Sequence, residues 1–334
     1  MPATIRDIRR MTGLSLATIS KYLNGGNVLP ENRKRIEKAI DELGYEVNEI
    51  ARWLATSKTK TIGVIVFDIQ SLFNSTLLSY MSAALRAVGY GMLICDSAEN
   101  AQQEGRNIHF LLNKKVDGML AIPVNGSEHE FDRAAESGIP VICLDRPVGD
   151  LNCVKINNSR AAENATELLL HENHTEIALI GSEEEYTGRR RCIGYFTALH
   201  AHGIEPRKEL VRIDKTSIAS IQFGYESMKA LLALENRPTA VFMTNYEITL
   251  GGVMAVNESD IRCPEDISLL GFDNLILSQI VKPKMTMVVQ PMKEMAEKAV
   301  ELLMREMTLG ENASPSGIVN LPTHIEFGNS IRKL

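Results

Sequence analysis

The chain has 334 residues, of which 36 are Lys or Arg and 42 are Asp or Glu, for a formal net charge of −6. That length exceeds what one core usually holds, so two or three domains are expected. No apolar run approaches membrane-spanning length, and the N-terminus, charged at Arg6, Asp7, Arg9 and Arg10, has no signal-peptide core, so a cytoplasmic protein is expected. The charge is uneven. Residues 1–60 hold 11 Lys+Arg against 7 Asp+Glu, a net of +4, and the remainder holds 25 against 35, a net of −10. A basic head on an acidic body confines contact with nucleic-acid phosphates to the front of the chain.

Residues 4–24 read as two short helices joined at Gly13-Leu14-Ser15. Ile5, Ile8 and Met11 recur at the spacing of an apolar helical face, and Ala17, Ile19, Tyr22 and Leu23 supply a face to pack against it. Gly13 tolerates the turn, and the Ser15 hydroxyl is placed to cap the helix beginning at Leu16. This is a helix-turn-helix pattern, with an ordinary helical hairpin as the structural alternative. It leaves Leu16, Ala17, Thr18 and Lys21 near the exposed end of the second helix, where a recognition helix meets base edges. A third helix follows, with Pro30 in its first turn, an apolar stripe of Ile36, Ile40 and Leu43, and Gly44 at its end. Residues 45–55 then form a segment too short to fold alone and too apolar for an idle linker.

At this point the chain resembles the lactose-repressor/galactose-repressor family of bacterial transcription regulators. The motifs that carry the resemblance are D-x-x-x-x-x-G-x-S-x-A-T-I-S-x-x-L-N-G from Asp7 to Gly25 and Y-x-x-N-x-x-A-x-x-L from Tyr45 to Leu54. The resemblance implies a DNA-binding domain over 1–47, a hinge helix and linker over 48–60, and a two-lobed periplasmic-binding-protein-like core over 61–334. The DNA-contacting positions it implies are Thr4, Ser15, Leu16, Ala17, Thr18, Lys21, Asn24, Tyr45, Asn48, Ala51 and Leu54. By the same resemblance, residues 48–55 become helical when two subunits pair on a pseudo-palindromic operator, and Leu54 of each wedges into a central minor-groove step. Two departures are informative. Lys21 stands where arginine is usual, replacing a bidentate guanine contact by a single ammonium contact, and Val47 stands where proline is usual.

Beyond residue 60, apolar strand-like runs alternate with helical ones: strands at 61–67, 91–95, 118–122, 141–144, 177–180, 240–243 and 268–271, with helices at 77–88 and 102–114 among the intervening stretches. Near-continuous apolar strands separated by helices indicate parallel sheets covered on both faces, so the fold class is α/β. Ligands in such sheets bind beyond the carboxyl ends of the strands. The resemblance implies three crossings between lobes, placed near Ser159, Gln290 and Leu321, so that lobe 1 takes 61–159 and 291–321 and lobe 2 takes 160–290 and 322–334.

Matches to the family's effector pocket fall on Asp145-Arg146 after V-I-C-L, on Arg191 in R-x-x-G-[FYW], on Asn245, on Asp273 in G-F-D-N, and on Phe73. Tyr246 stands where the family usually has Asp, and Ala219 where a ring-stacking aromatic is common. Carboxylates, amide and guanidinium together suit a polyhydroxylated ligand, because each desolvated hydroxyl needs a donor and an acceptor. A sugar or sugar derivative is the expected effector, with a protein corepressor of the kind that serves carbon catabolite repression as the alternative. No cofactor is expected.

Enzyme readings find no support in G-x-G-x-x-G, G-x-x-x-x-G-K-[ST] or G-x-S-x-G motifs. The five cysteines are scattered without metal-site spacing and read as buried reduced thiols. His171-Glu172-Asn173-His174 has the look of a metal pair but not H-E-x-x-H spacing, and reads as an exposed turn. A free sugar-binding protein of the periplasmic type, or a remnant enzyme with a regulatory head, are the other classes compatible with the body alone. The absence of a C-terminal apolar heptad after Phe327 makes a homodimer the default. Trp53, the single tryptophan, lies beside the expected wedge. Its fluorescence should therefore change on saturation with specific operator DNA; an unchanged spectrum would count against hinge ordering.

Overall fold

The computed structural model describes residues 3–23, 25–45, 58–124, 128–215, 220–273, 280–309 and 317–334. Two compact units emerge, one of residues 1–61 with 115–117 and one of 62–114 with 118–334.

The first unit is built on three helices, α1 (Ile5–Thr12), α2 (Leu16–Leu23) and α3 (Pro30–Leu43). Ile8, Ile19 and Ile36 are fully buried and, with Ala39, form its core, with Ile5, Leu14, Tyr22, Leu23, Ile40, Leu43 and Tyr45 packed around them. Gly13 ends α1 in the left-handed region at φ 67°, its N–H bonding the Arg9 carbonyl at 2.8 Å. Two expected core residues are not in this core: Met11 and Ala17 are exposed. Thr12 is buried in place of Met11, because its hydroxyl bonds the Ile8 carbonyl at 2.7 Å and so carries no unpaired polar group inside.

The second unit holds two six-stranded sheets of equivalent order, β11-β5-β4-β3-β1-β2 and β12-β10-β9-β8-β6-β7. The strands are β1 (Thr61–Val66), β2 (Gly91–Asp96), β3 (Gly118–Ala121), β4 (Val141–Leu144), β5 (Asn152–Ile156), β6 (Ile177–Ser182), β7 (Val211–Asp214), β8 (Ala240–Met243), β9 (Ser268–Phe272), β10 (Thr286–Val289), β11 (Ile318–Leu321) and β12 (His324–Glu326). The helices among the described residues are α4 (Leu72–Ala87), α5 (Ala101–Asn113), α6 (Glu128–Glu136), α7 (Asn158–His171), α8 (Tyr186–Ala201), α9 (Ile221–Leu232), α10 (Tyr246–Asn257) and α11 (Met292–Leu309). Strands β1, β3, β4, β5 and β11 pair in parallel, as do β6 with β7 and β8, β8 with β9, and β9 with β10; β12 alone runs antiparallel, to β10. The chain leaves the first sheet after Ile156, returns to it after Val289, and crosses again between Leu321 and His324.

Several expected bounds shift. Helix α4 begins at Leu72 rather than 77, because the polar run Asn74-Ser75-Thr76 hides the apolar period; Ser75 and Thr76 bond back to the Leu72 carbonyl at 3.1 and 2.7 Å. Strands β5, β7, β10, β11 and β12 were not expected as strands. His174 is buried, not in an exposed turn: its ring bonds the Thr239 hydroxyl at 2.9 Å and the Arg332 carbonyl at 3.0 Å, tying the chain end to the second lobe. All five cysteines are free thiols, four of them buried. No helix among the described residues is long and apolar enough to cross a membrane.

Helices α7 and α8 pack at glycine distance, as do α9 and α10. A methyl at Gly194 would overlap the Ser159 carbonyl of α7, and one at Gly251 would overlap the Ile221 carbonyl of α9. Since backbone cannot yield as a side chain can, Gly194→Ala is expected to destabilise the fold by about 1–3 kcal/mol. Chemical denaturation of the two proteins checks this; equal midpoints would show that α7 and α8 can separate freely.

Candidate functional site

The head presents α2 as its candidate DNA surface. Leu16, Ala17 and Lys21 are exposed and Thr18 is half-buried. Ser15 does what a cap residue does, its Oγ accepting the Thr18 N–H at 3.1 Å, while the two hydroxyls lie 2.8 Å apart. Thr4 sits at the start of α1, with its N–H and hydroxyl both donating to the Asp7 carboxylate at 3.0 and 2.7 Å. Tyr45 is half-buried against the head core. Asn24, Asn48, Ala51 and Leu54, with Trp53 and Ala219, lie outside the described residues.

In the second unit the carboxyl ends of both sheets line one cavity of about 410 Å³. The first lobe contributes Phe67 and Asp68 beyond β1, Phe73 at the start of α4, Glu99 beyond β2, and Asp145 and Arg146 beyond β4. From the second lobe come Ser182, Glu185 and Arg191 around the start of α8, Thr244, Asn245 and Glu247 around the start of α10, Asp273 beyond β9 and Gln290 beyond β10. Parallel strands ending at one level bring these side chains together from distant parts of the sequence, as expected for such sheets.

Arg191, 4% exposed, organises the second-lobe wall. Its Nε donates to Asn158 Oδ1 at 2.8 Å, and its Nη1 to the Thr244 carbonyl at 2.7 Å and to Asp273 Oδ2 at 3.1 Å. The guanidinium also lies over the Phe272 ring, 3.8 Å from its centroid. Gln290 Nε2 donates to the other Asp273 oxygen at 2.6 Å. Across the cavity Arg146 Nη2 donates to Glu185 Oε2 at 2.9 Å, joining the lobes by a buried ion pair, and the Arg146 guanidinium covers the Phe67 ring at 4.3 Å.

Asp145 and Asp273 occupy equivalent positions in the two sheets, and both adopt left-handed backbone, at φ 66° and 65°. Asp tolerates this region because its short side chain bonds locally. Each N–H is anchored on the next strand, Asp145 to the Val154 carbonyl and Asp273 to the Val288 carbonyl, both at 2.9 Å. Buried polar atoms remain without a protein partner in the wall: Asp145 Oδ1, Arg146 Nε and Gln290 Oε1.

Of the expected pocket residues, Phe73, Asp145, Arg146, Arg191, Asn245 and Asp273 line the cavity. Asn245 also caps α10, its Oδ1 accepting the Ile248 N–H at 2.8 Å. Tyr246 does not line the cavity: it is 8% exposed and packs in the apolar core of the second lobe, while its neighbour Glu247 faces the cavity instead. Glu185, Glu247 and Gln290 were not singled out as pocket residues. Glu185 is one of three successive glutamates after β6, and only the helix start at Tyr186 decides which turns inward.

A sequence model described as bacterial regulatory proteins, lacI family, matches residues 4–48, and one for a periplasmic binding protein-like domain matches residues 166–331. The chain is 32% identical to catabolite control protein A of Priestia megaterium over 99% of this chain and 100% of that protein. It belongs to the lacI family of bacterial regulatory proteins. The lacI-family repressor CytR of Escherichia coli K12 is 34% identical over 91% of this chain and 90% of its own. Among solved structures, a lac repressor dimer bound to operator and an anti-inducer shares the fold at a TM-score of 0.87 and 22% identity, covering 99% of this chain and 100% of that one. A complex of the transcriptional regulator CelR with cellobiose aligns at a TM-score of 0.71 and 25% identity over 98% and 99%. This lacI-family regulator is thus a DNA-binding transcription factor under effector control, not an enzyme.

Burial first, and then the Asp273 and Glu185 carboxylates, push the Glu247 carboxyl up to about 7 against the opposing pull of its own backbone N–H and Arg191. Tyr246 is the other titratable group beside it. A raised carboxyl favours the folded state at low pH and loses that contribution as pH rises through its folded value. Glu247→Gln should therefore melt close to wild type at pH 4.5 and above it at pH 8, by about 2 °C or more. Melting curves across that range check the sign; a variant that melts lower at pH 8 would contradict it.

Proposed function

We propose that the cavity is the effector site and that its ligand is a small polyhydroxylated molecule, a sugar or sugar derivative. The observation that carries this reading is the buried set in the wall that lacks hydrogen-bond partners: two acceptors, Asp145 Oδ1 and Gln290 Oε1, and one donor, Arg146 Nε, whose nearest charge is the other Asp145 oxygen at 3.6 Å. Buried polar atoms are ordinarily hydrogen-bonded, and a hydroxyl, which donates and accepts, is the group that satisfies both kinds. A volume of about 410 Å³ is at the small end of ligand sites, which commonly span about 300–1,000 Å³. That size favours a ligand of monosaccharide scale. CelR, solved as a complex with cellobiose, and the ribose operon repressor of Escherichia coli, 28% identical, support the same chemical class.

In this reading Arg191, Asp273 and Asn245 hold the ligand from the second lobe and Asp145, Arg146 and Phe73 from the first. Ligand that touches both lobes changes their angle, and paired hinge segments around Leu54 transmit the change to a homodimer on a pseudo-palindromic operator. The coupling is expected at about 1–3 kcal/mol. The regulator acts as a repressor inside the cell.

The test is a thermal-shift screen of the full-length protein against sugars, sugar acids, sugar phosphates and nucleobases, with each hit retested for operator affinity. A ligand at about 100 times its dissociation constant adds roughly 2.7 kcal/mol. Asp273→Asn keeps an acceptor for Arg191 and so avoids an unpaired buried guanidinium. It should abolish the ligand-induced change in operator affinity while leaving DNA binding in place. Retention of the full ligand response would remove Asp273 from the site, and a screen without hits would favour the protein corepressor.

A further inference from the structure

The cavity is strongly acidic. Six carboxyl groups line it, from Asp68, Glu99, Asp145, Glu185, Glu247 and Asp273, against two cations, Arg146 and Arg191. Both guanidiniums are already engaged, Arg146 by Glu185 and the Phe67 ring, Arg191 by Asp273 and the Phe272 ring. The helices α4, α8, α9 and α10 each point their N-terminal turn at the cavity. At about half a positive charge per helix end, they offset only about half of the formal excess, and protons held on the raised Glu99, Asp145 and Glu247 carboxyls offset a further part. A neutral sugar would leave that excess in place.

An acidic cluster by itself need not bind anything, but here a second observation points to a ligand. Asp145 is 4% exposed, faces the cavity, and has one carboxylate oxygen with no hydrogen-bond partner. Its other oxygen lies 3.6 Å from Arg146 Nε. A buried anionic acceptor of this kind is costly unless something donates to it. A metal ion is a poor candidate, because no group of three carboxylate, His or Cys side chains among the described residues converges as a chelate. Carboxyls spread around a cavity that also offers hydroxyl partners suit an organic ammonium, whose three donors reach separate acceptors.

We propose that the effector of this regulator carries a protonated amine on a polyhydroxylated frame, an amino sugar of monosaccharide size, with the ammonium held by Asp145. This rests on the reading of the cavity as the effector site and adds the charge of the ligand. The raised Glu247 carboxyl agrees with an acidic cavity: burial raises it most, and the Asp273 and Glu185 carboxylates raise it further.

The test is calorimetric titration of the full-length protein at pH 7 with D-glucosamine, D-galactosamine and D-mannosamine, each beside its neutral hexose and its N-acetyl derivative. One amine should bind at least tenfold tighter than both of its uncharged counterparts. That preference should fall at least fivefold in Asp145→Asn and in Asp145→Gly, both of which tolerate the left-handed backbone at this position, so that poor folding of one leaves the other informative. A hexose that binds as tightly as its amine overturns the ammonium and leaves the effector cleft standing. Silence from all three amines overturns the proposal, and the broader screen then decides separately whether the cavity takes an effector of another class.

Discussion

The buried contact between Arg191 and Asp273 is the constraint on which the second unit is organised. One guanidinium joins the start of α8, the ends of β8 and β9, and Asn158 just past the first crossing between the sheets; through Asp273 it reaches Gln290, just past the second crossing. A buried arginine stripped of its carboxylate costs about 3–5 kcal/mol, so these elements are held in one arrangement as long as the pair persists. Because two of the three crossings are wired to it, any ligand that re-partners Arg191 or Asp273 acts on the hinge between the lobes, as well as on the cavity wall. The same bonds that complete the fold therefore give the cavity its mechanical connection.

The two sheets repeat one plan, and the repeat sets an aspartate from each at the cavity. Asp145 and Asp273 stand at corresponding strand ends, in the same left-handed backbone conformation, with the same anchoring bond to the neighbouring strand. They are not chemically equivalent. Each Asp273 oxygen already has a protein donor, Arg191 or Gln290, whereas Asp145 keeps one oxygen without any. One wall is thus preorganised and the other is waiting for a partner. Among the described residues, the ion pair of Arg146 with Glu185 ties the two walls together across the cavity.

Much of this was legible in the chain. The helix-turn-helix was carried by Gly13 and Ser15, whose backbone demands are local, and the parallel sheets by apolar runs that need no partner to be recognised. Asp145, Asn245 and Asp273, just past strand ends, and Arg191, in the second turn of α8, were marked by motif and line the cavity. What escaped was decided by tertiary context. The edge strands β7, β11 and β12 are half-exposed and lack an apolar run, while β5 and β10 carry polar residues at Asn152 and Thr286, whose buried side chains are satisfied by Glu306 and by the Gly328 N–H. Tyr246 and Glu247 exchanged roles because one residue of helical phase, about 100°, separates a core position from a cavity position. Met11 and Thr12 exchanged for the same reason, with a back-bonded hydroxyl replacing a thioether in the head core.

The central claim is that ligand in the cavity and DNA affinity are coupled through the angle between the lobes. It is tested most directly by attaching spin labels at two exposed positions, Phe110 on α5 of the first lobe and Met254 on α10 of the second, and measuring their separation by pulsed electron resonance during a ligand titration. Operator affinity is followed in parallel on the same labelled protein. The account requires the distance to shift and the operator affinity to change with one shared midpoint. An operator response that saturates while the interlobe distance stays fixed would contradict it.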